Sequence, residues 1–165
     1  LQVAIAETLA EFTGEPISAA TMDGCGAPLF GTTLVGLARG FARLAAAPQQ
    51  VPASPEAKVA RAMAAHPFLI AGTNRPTTTL MSAIGGLIAK DGADGVYAAG
   101  LPDGRAVALK VRDGSERPLA VALVGALDRL GVTSGPGVDE KAVAGLRARE
   151  ILGGSVPVGE IRPAT

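Results

Sequence analysis

Residues 87–111, LIAKDGADGVYAAGLPDGRAVALKV, contain the pattern that decides the fold. Two apolar runs, 95–101 and 105–111, flank a Pro-Asp-Gly tripeptide at 102–104, and these residue types together favour a tight turn. In the second run, large apolar residues alternate with smaller or charged ones, which is the period of a β-strand. The stretch therefore predicts an antiparallel hairpin that is entered from a short preceding strand.

The entering strand carries Lys90, which is followed at once by Asp91 and Gly92. Glycine has no Cβ, so another molecule can approach the backbone closely at Gly92. A lysine beside such a glycine is suited to holding the carboxylate of a substrate. A solvent-exposed lysine before a turn is the simpler interpretation, and these residues alone favour it.

Length and composition limit the classes of protein to consider. A chain of 165 residues is long enough for one domain with a sizeable core, so residues 1–165 are predicted to form a single domain. Fifteen basic residues balance fifteen acidic ones, which argues against a nucleic-acid partner. No apolar run approaches the roughly 20 residues that a bilayer requires, so no membrane partner is expected. A single cysteine fits a reducing compartment, and a cytoplasmic location is expected.

Helical patterns surround the hairpin on both sides. Ser54 before Pro55 and Glu56 predicts a capped helix start, and His66 before Pro67 predicts the end of that helix. Together these patterns predict an α+β domain in which an antiparallel sheet packs against helices. The predicted helices are 3–13, one after Pro28 with its apolar stripe at 34–45, 55–66, a brief one at 80–84, 119–130 and 139–150; residues 48–52 are predicted as a loop and 156–161 as an edge strand.

The segment 23–28, DGCGAP, is too polar and too rich in glycine for a core, and it precedes a predicted helix. Its two glycines allow a tight fold in which Asp23 and Cys25 point into one cleft. Asp23 can accept hydrogen bonds from an amino-acid ammonium. Cys25 fits a nucleophile, a metal ligand or a packing residue, and as a nucleophile it needs a neighbouring base. The only histidine, His66, is predicted to cap a helix instead.

Three stretches together resemble the bacterial asparaginase II family, the Rhizobium-type asparaginases: DGCGAP, MAAHPFLIAGTNR and AKDGADGVYAAGLPDGRAVALKV. The resemblance extends from residue 1 to about residue 163. It implies a serine β-lactamase-like or glutaminase-like fold, of which this chain matches the C-terminal half. Lys90-Asp91-Gly92 is similar to the Lys-x-Gly strand motif that binds a carboxylate and frames the reacting amide in those enzymes.

Two motifs that the resemblance implies are missing from this chain. No serine has a lysine three residues later, so the Ser-x-x-Lys nucleophile is absent. The second cysteine, in a Cys-x-x-Lys motif thought to share a metal site with Cys25, is absent too. The chain is therefore expected to be the C-terminal portion of a longer amidohydrolase and to be inactive alone.

The resemblance also assigns roles to residues of this chain. Lys90 and Asp23 are the expected catalytic residues, and Cys25 is the expected metal ligand, with zinc as the ion. The family pattern of an arginine followed two residues later by Asp-Thr appears here as Arg75-Pro76-Thr77-Thr78, so a threonine replaces the aspartate. The expected substrate-binding residues are Asp23, Arg75, Thr78, Lys90 and Gly92.

The expected activity is that of an L-asparaginase, which converts L-asparagine to L-aspartate and ammonia. The altered segment 75–78 leaves open a related glutaminase-like hydrolase of another small amide, and the missing nucleophile leaves open a catalytically incompetent amino-acid-binding or relic domain. Asp23, Cys25 and Lys90 are expected within about 10 Å of one another at one cleft. The expected partners are L-asparagine and either a second copy in a homodimer or the missing N-terminal half.

Overall fold

A computed structural model describes residues 1–164, and the predicted hairpin lies at its centre. Strand β4 (Val96–Gly100) pairs with β5 (Ala106–Lys110) in antiparallel fashion, and β3 (Ile88–Gly92) pairs with the other edge of β4. The Gly104 N–H donates to the Leu101 carbonyl at 3.0 Å, and Gly104 has a φ of 88°, which closes the turn. The hairpin prediction is confirmed.

The remaining elements surround this three-stranded sheet. Two further antiparallel hairpins lie near the ends of the chain, and seven helices are present in residues 1–164. The architecture is α+β, as the sequence predicted. The bounds are α1 Gln2–Thr13, β1 Ala19–Met22, β2 Pro28–Gly31, α2 Leu34–Gln50, α3 Pro55–Ala65, α4 Pro67–Ala71, α5 Pro76–Ala83, α6 Leu119–Arg129, α7 Glu140–Ala144, β6 Arg149–Gly153 and β7 Val156–Ile161.

Helix α2 packs closely on one face of the sheet because the contact residues are small. Ala45, Ala46 and Ala47 are each 2% exposed. A Cβ added to Gly100 would lie 3.0 Å from the Ala45 Cβ and even closer to the backbone carbonyl oxygen of Phe41. Real Cβ atoms do not approach a backbone atom so closely, so glycine at this position sets the distance between helix and sheet.

The opposite face of the sheet carries the larger core. Strand alternation places Tyr97 and Ala99 on this face, which α5 and α6 cover, and α7 packs on α5. The predicted apolar stripe of α6 is confirmed, since its leucines point into this core. The largest fully buried side chains in this core are Tyr97, Leu80, Leu87, Leu123, Leu127, Val124 and Val143, while Ile88 is buried on the face of Gly100.

A carboxylate joins the end of α1 to the start of α2. Glu15 accepts hydrogen bonds from the Thr32 hydroxyl at 2.6 Å, the Thr33 N–H at 2.6 Å and the Thr33 hydroxyl at 2.9 Å. These bonds, with that of Thr32 first, lower the pKa of Glu15. Gly36 leaves room for the arrangement, because an added Cβ would meet the side chains of Glu15 and Thr32.

The predicted helix start at Ser54 and helix end at His66 are confirmed, and the loop predicted for residues 48–52 is wrong in part. The Ser54 hydroxyl accepts from the Ala57 N–H at 3.1 Å, and His66 ends α3. The segment 48–52 does not form a loop throughout, because α2 continues through Pro48 to Gln50. Proline removes one backbone hydrogen bond and crowds the carbonyl four residues earlier, but the preceding buried alanines hold this turn of the helix against the sheet.

Two segments predicted as helix are strands. Residues 28–31 do not begin a helix; they pair with β1, and α2 begins at Leu34, where the Thr33 hydroxyl caps it by accepting from Gly36 N–H at 2.9 Å. The helix predicted for 139–150 ends at Ala144, and β6 follows and pairs with β7. In both cases cross-strand hydrogen bonds, which a helical pattern does not reveal, decide the local structure. The edge-strand prediction for 156–161 is confirmed.

Helix α2 and the central hairpin cover each other. Helix α2 packs against β4 and β5 of the hairpin, although Leu34 and Val35 at its N-terminal end stay exposed. Dimer formation stays a prediction. Within residues 1–164, no helix combines the length and the apolar character needed to cross a membrane.

We predict that Gly100→Ala destabilises the fold. The added Cβ must displace the backbone of Phe41, so we expect the free energy of unfolding to fall by about 1–3 kcal/mol. Urea unfolding measures this change. Gly24→Ala is the matched control because a Cβ there meets nothing within 4 Å, and we expect a change within about 0.5 kcal/mol. Equal effects of the two substitutions would contradict this account of the helix–sheet contact.

Candidate functional site

A polar cluster lies where β3 meets the start of α5. Thr77 Oγ1 lies 3.0 Å from Asp91 Oδ1 and 2.6 Å from the Tyr97 hydroxyl. Arg75 Nη2 lies 3.2 Å from Asp91 Oδ2, and Lys90 Nζ lies 3.3 Å from Asp91 Oδ1. Asp91 and Tyr97 are cross-strand partners in the β3–β4 pairing, so their side chains project from the same face. One carboxylate is thus shared by two cations and one hydroxyl.

The direction of the hydrogen bonds in this cluster follows from the proton inventory. An ionised Asp91 carboxylate accepts only, so the Thr77 hydroxyl donates its single proton to Asp91. The Tyr97 hydroxyl must then donate to Thr77. Thr77 and Tyr97 are each 2% exposed, and no buried side-chain nitrogen or oxygen in the described part of the chain lacks a partner. The Thr77 hydroxyl therefore uses both its proton and its oxygen in hydrogen bonds within the cluster and cannot serve as a nucleophile.

Burial and charge act on the two acidic groups in opposite ways. Burial opposes ionisation of Asp91, but the hydrogen bond from Thr77, a backbone hydrogen bond and the charge of Lys90 outweigh it, so the pKa of Asp91 is lowered. Burial, with a smaller contribution from the charge of Asp91, raises the pKa of Tyr97 to about 12 against the opposing hydrogen bond with Thr77. At neutral pH Asp91 is a carboxylate and Tyr97 is a neutral donor, as the hydrogen-bond directions require.

Three of the residues expected to bind substrate lie at this cluster. The Lys90 ammonium also donates to the Asp91 carbonyl at 2.6 Å, and the side chains of Lys90 and Arg75 are each 50% exposed. Gly92, also exposed, ends β3 two residues beyond Lys90. Two half-exposed cations and an accessible backbone thus surround one carboxylate.

Thr78, the other expected substrate-binding residue of this segment, points elsewhere. Its hydroxyl donates to the Gly72 carbonyl at 2.7 Å and so ties the start of α5 to the end of α4. Its neighbour Thr77, together with Asp91 and Tyr97, forms the cluster, and sequence reasoning missed this role. The available signal was the register of the hairpin, since Asp91 and Tyr97 flank the Gly-rich turn at equal distances from its centre.

Asp23 and Cys25 lie in the exposed turn between β1 and β2. The Asp23 carboxylate accepts from the Gly24 N–H at 2.9 Å and from the Cys25 thiol at 3.4 Å. The turn thus brings Asp23 and Cys25 together. No hydrogen bond within residues 1–164 links either of them to Lys90, and a cleft shared by all three stays a prediction.

The zinc expected at Cys25 finds an incomplete ligand set. Zinc sites use three or four protein ligands, of which thiolate, imidazole and carboxylate are the usual ones. In the part of the chain that the structure describes, no three His, Cys, Asp or Glu side chains gather closely enough to hold a metal ion. Cys25 and Asp23 supply at most two ligands, so these residues do not fit a zinc site on their own, and we derive no chemistry through a metal.

The polar cluster forms one wall of an open cleft of about 420 Å³. This volume is within the range of small-molecule sites, roughly 300–1,000 Å³. Its lining combines a few charged groups with apolar side chains from α6 and the segment after α7. The lining residues are Arg75, Pro76, Thr77, Asp91, Tyr97, Glu116, Arg117, Leu119, Ala120, Val121, Gly145, Leu146, Ala148 and Arg149.

We predict that the phenol of Tyr97 titrates near pH 12 in the folded chain. Folding raises its pKa from 10.0, so its contribution to stability is fully present below pH 10 and is lost as pH rises through about 12. Tyr97 is the only tyrosine and the chain has no tryptophan, so the absorbance of tyrosinate reports this group alone. In denaturant the titration should return to near pH 10. A folded chain that already titrates there would show that the phenol is exposed.

Comparisons with known proteins agree with this architecture. No curated protein matches the chain. A family model described as L-asparaginase II matches residues 1–163, which is nearly the full length. The α+β arrangement of helices around small antiparallel sheets is consistent with that family. A match over so much of the sequence shows the family: the chain is a member of the L-asparaginase II family.

Proposed function

We propose that this chain holds the substrate in an L-asparaginase, an amidohydrolase that converts L-asparagine to L-aspartate and ammonia. The family supports hydrolysis of an amide. One observation supports an amino-acid amide as the substrate: Arg75 and Lys90 both contact the carboxylate of Asp91, next to Gly92. Two fixed cations that are half exposed can bind the α-carboxylate of an amino acid, because charge-assisted hydrogen bonds are stronger than neutral ones.

The proposed reaction is covalent and uses a serine that this chain does not supply. A Ser-x-x-Lys serine attacks the side-chain amide, ammonia leaves, and water hydrolyses the acyl-enzyme. No serine of the 165 residues has a lysine three positions later, so we propose that another segment provides it. In this scheme Lys90 holds the substrate carboxylate and Asp23 the ammonium, while a backbone N–H near Gly92 donates to the developing oxyanion.

Asp91 has a positioning role in this proposal. Its carboxylate faces both cations, and Thr77 fixes its orientation from the buried side. A flexible lysine loses rotamer freedom when it binds a ligand, and holding it in place beforehand reduces that cost. Asp91 therefore orders Lys90 and Arg75 before the substrate arrives.

A glutaminase-like activity on another small amide is the second candidate. The observation that favours it is the burial of Thr77, which stands where the family pattern has an aspartate and which offers no polar atom to the cleft. A panel of L-asparagine and L-glutamine separates the two substrates.

The third candidate is a non-catalytic amino-acid-binding or relic domain. A reading frame for a Ser-x-x-Lys segment directly upstream would distinguish an amidohydrolase from this candidate. A serine β-lactamase-like fold, a homodimer and a cytoplasmic location remain predictions.

We predict that the 165-residue chain alone releases no ammonia from L-asparagine above the rate in buffer. Substrate positioning without a nucleophile leaves the covalent route closed. A coupled assay for ammonia measures this directly. Turnover that co-purifies with the chain and disappears in Cys25→Ala would identify a cysteine nucleophile and contradict the proposal.

We also predict that the chain binds L-asparagine through Lys90. Lys90→Met should weaken binding by roughly tenfold or more, because a charge-assisted hydrogen bond is worth about 1.5–3 kcal/mol. Heteronuclear NMR titration measures the affinity. Lys110→Met is a matched control, since the Lys110 ammonium also donates to the carbonyl of the next residue on a strand but has no carboxylate beside it. Equal losses in the two variants would contradict a specific role for Lys90.

A further inference from the structure

Two arginines of the cleft are not used by the proposed asparaginase chemistry. Arg117 precedes α6 and Arg149 begins β6, and both line the cleft. The Arg149 guanidinium donates to the Arg117 carbonyl at 3.4 Å, so the two residues meet at one rim. Among residues 1–164 neither side chain forms an ion pair with a carboxylate. Two cations at one rim that form no ion pair favour binding of an anion.

The other arginines of the chain that lie near carboxylates show the contrast. Arg75, Arg105 and Arg147 each pair with an aspartate at 3.2 Å or less. Arg75 lines the same cleft, and the carboxylate of Asp91 beside it offsets part of its charge. Among the arginines that line the cleft, Arg117 and Arg149 are the two without an ion pair in the described residues.

The walls next to this rim are apolar. Leu119, which is 6% exposed, and Val121 come from α6, and Leu146 lies after α7. Glu116 is the one acidic residue of the lining besides Asp91, and it lowers the positive potential at the rim. A ligand that matches this lining carries one negative head group and an aliphatic body. A planar carboxylate fits guanidinium groups better than a compact ion does, because it accepts paired hydrogen bonds.

We infer that the cleft between α5, α6 and β6 binds a small aliphatic carboxylate, with its head group at Arg117 and Arg149 and its body against Leu119 and Leu146. This site goes beyond the proposed asparaginase site and does not depend on it. A simple carboxylic acid and an α-amino acid share the carboxylate head group. The amino acid also carries an ammonium group, which can pair with the carboxylate of Glu116.

The test uses the 165-residue chain and the probe 4-methylpentanoate in an NMR titration. We expect saturable shifts at the cleft, and affinity lowered about fivefold or more by Arg117→Gln and by Arg149→Gln. Arg112→Gln is the matched control, because Arg112 is an exposed arginine outside the cleft. Glu116→Gln should tighten binding about twofold by removing the opposing charge. Circular dichroism verifies that each variant is folded, which is expected since the substituted side chains are exposed.

Two further arms distinguish the outcomes. The neutral isostere 4-methylpentanamide should bind at least about tenfold more weakly than the carboxylate, and equal binding would overturn the inference. L-leucine should compete with 4-methylpentanoate, because it carries the same head group and body. Absence of saturable binding, equal weakening by Arg112→Gln, or binding that depends on Lys90 and not on Arg117 would each overturn the assignment. The last result would leave the proposed asparagine site intact.

Discussion

The hydroxyl of Thr77 connects the helical layer to the sheet, and the candidate site depends on this connection. Its proton goes to Asp91 and its oxygen accepts from Tyr97, so a single side chain from α5 fixes residues of two strands. Asp91 in turn holds Lys90 and Arg75. If Thr77 lost its hydroxyl, the buried phenol of Tyr97 would lose its acceptor, at a cost of about 1–3 kcal/mol, while Asp91 would keep its two cationic partners.

The two faces of the sheet differ in how they pack, and only one of them carries the polar cluster. One face uses alanine and Gly100 to bring α2 close, which is how a chain with 3% aromatic residues fills its interior. The other face carries large aliphatic side chains over most of its area and the polar cluster at its edge. Residues along a strand alternate between the two faces of the sheet. Asp91 therefore projects from the face that carries the polar cluster, and its neighbour Lys90 projects from the opposite face. The Lys90 ammonium reaches Asp91 only because β3 is an edge strand that a long side chain can curl around.

Local signals could be read from the sequence, and contacts between distant segments could not. The turn at 102–104 and the cap at Ser54 depend on neighbouring residues, so their prediction was confirmed. Residues 29–31 and 149–150 were included in predicted helices because their strand character comes from pairing with another segment. Lys90 and Arg75 were expected to bind substrate through the family resemblance, whereas the role of Thr77 was missed. Its partners lie 14 and 20 residues further along the chain, and only the folded register brings them together.

The contact at Gly100 also has an evolutionary consequence. A Cβ at position 36 would first meet side chains, those of Glu15 and Thr32, and a second substitution at either position could restore the space. A larger residue at position 100 meets the main-chain oxygen of Phe41, which every amino acid possesses. No compensating side-chain replacement at position 41 can remove that atom. Homologues that keep this helix–sheet spacing should therefore vary at position 36 together with its neighbours but retain glycine at position 100.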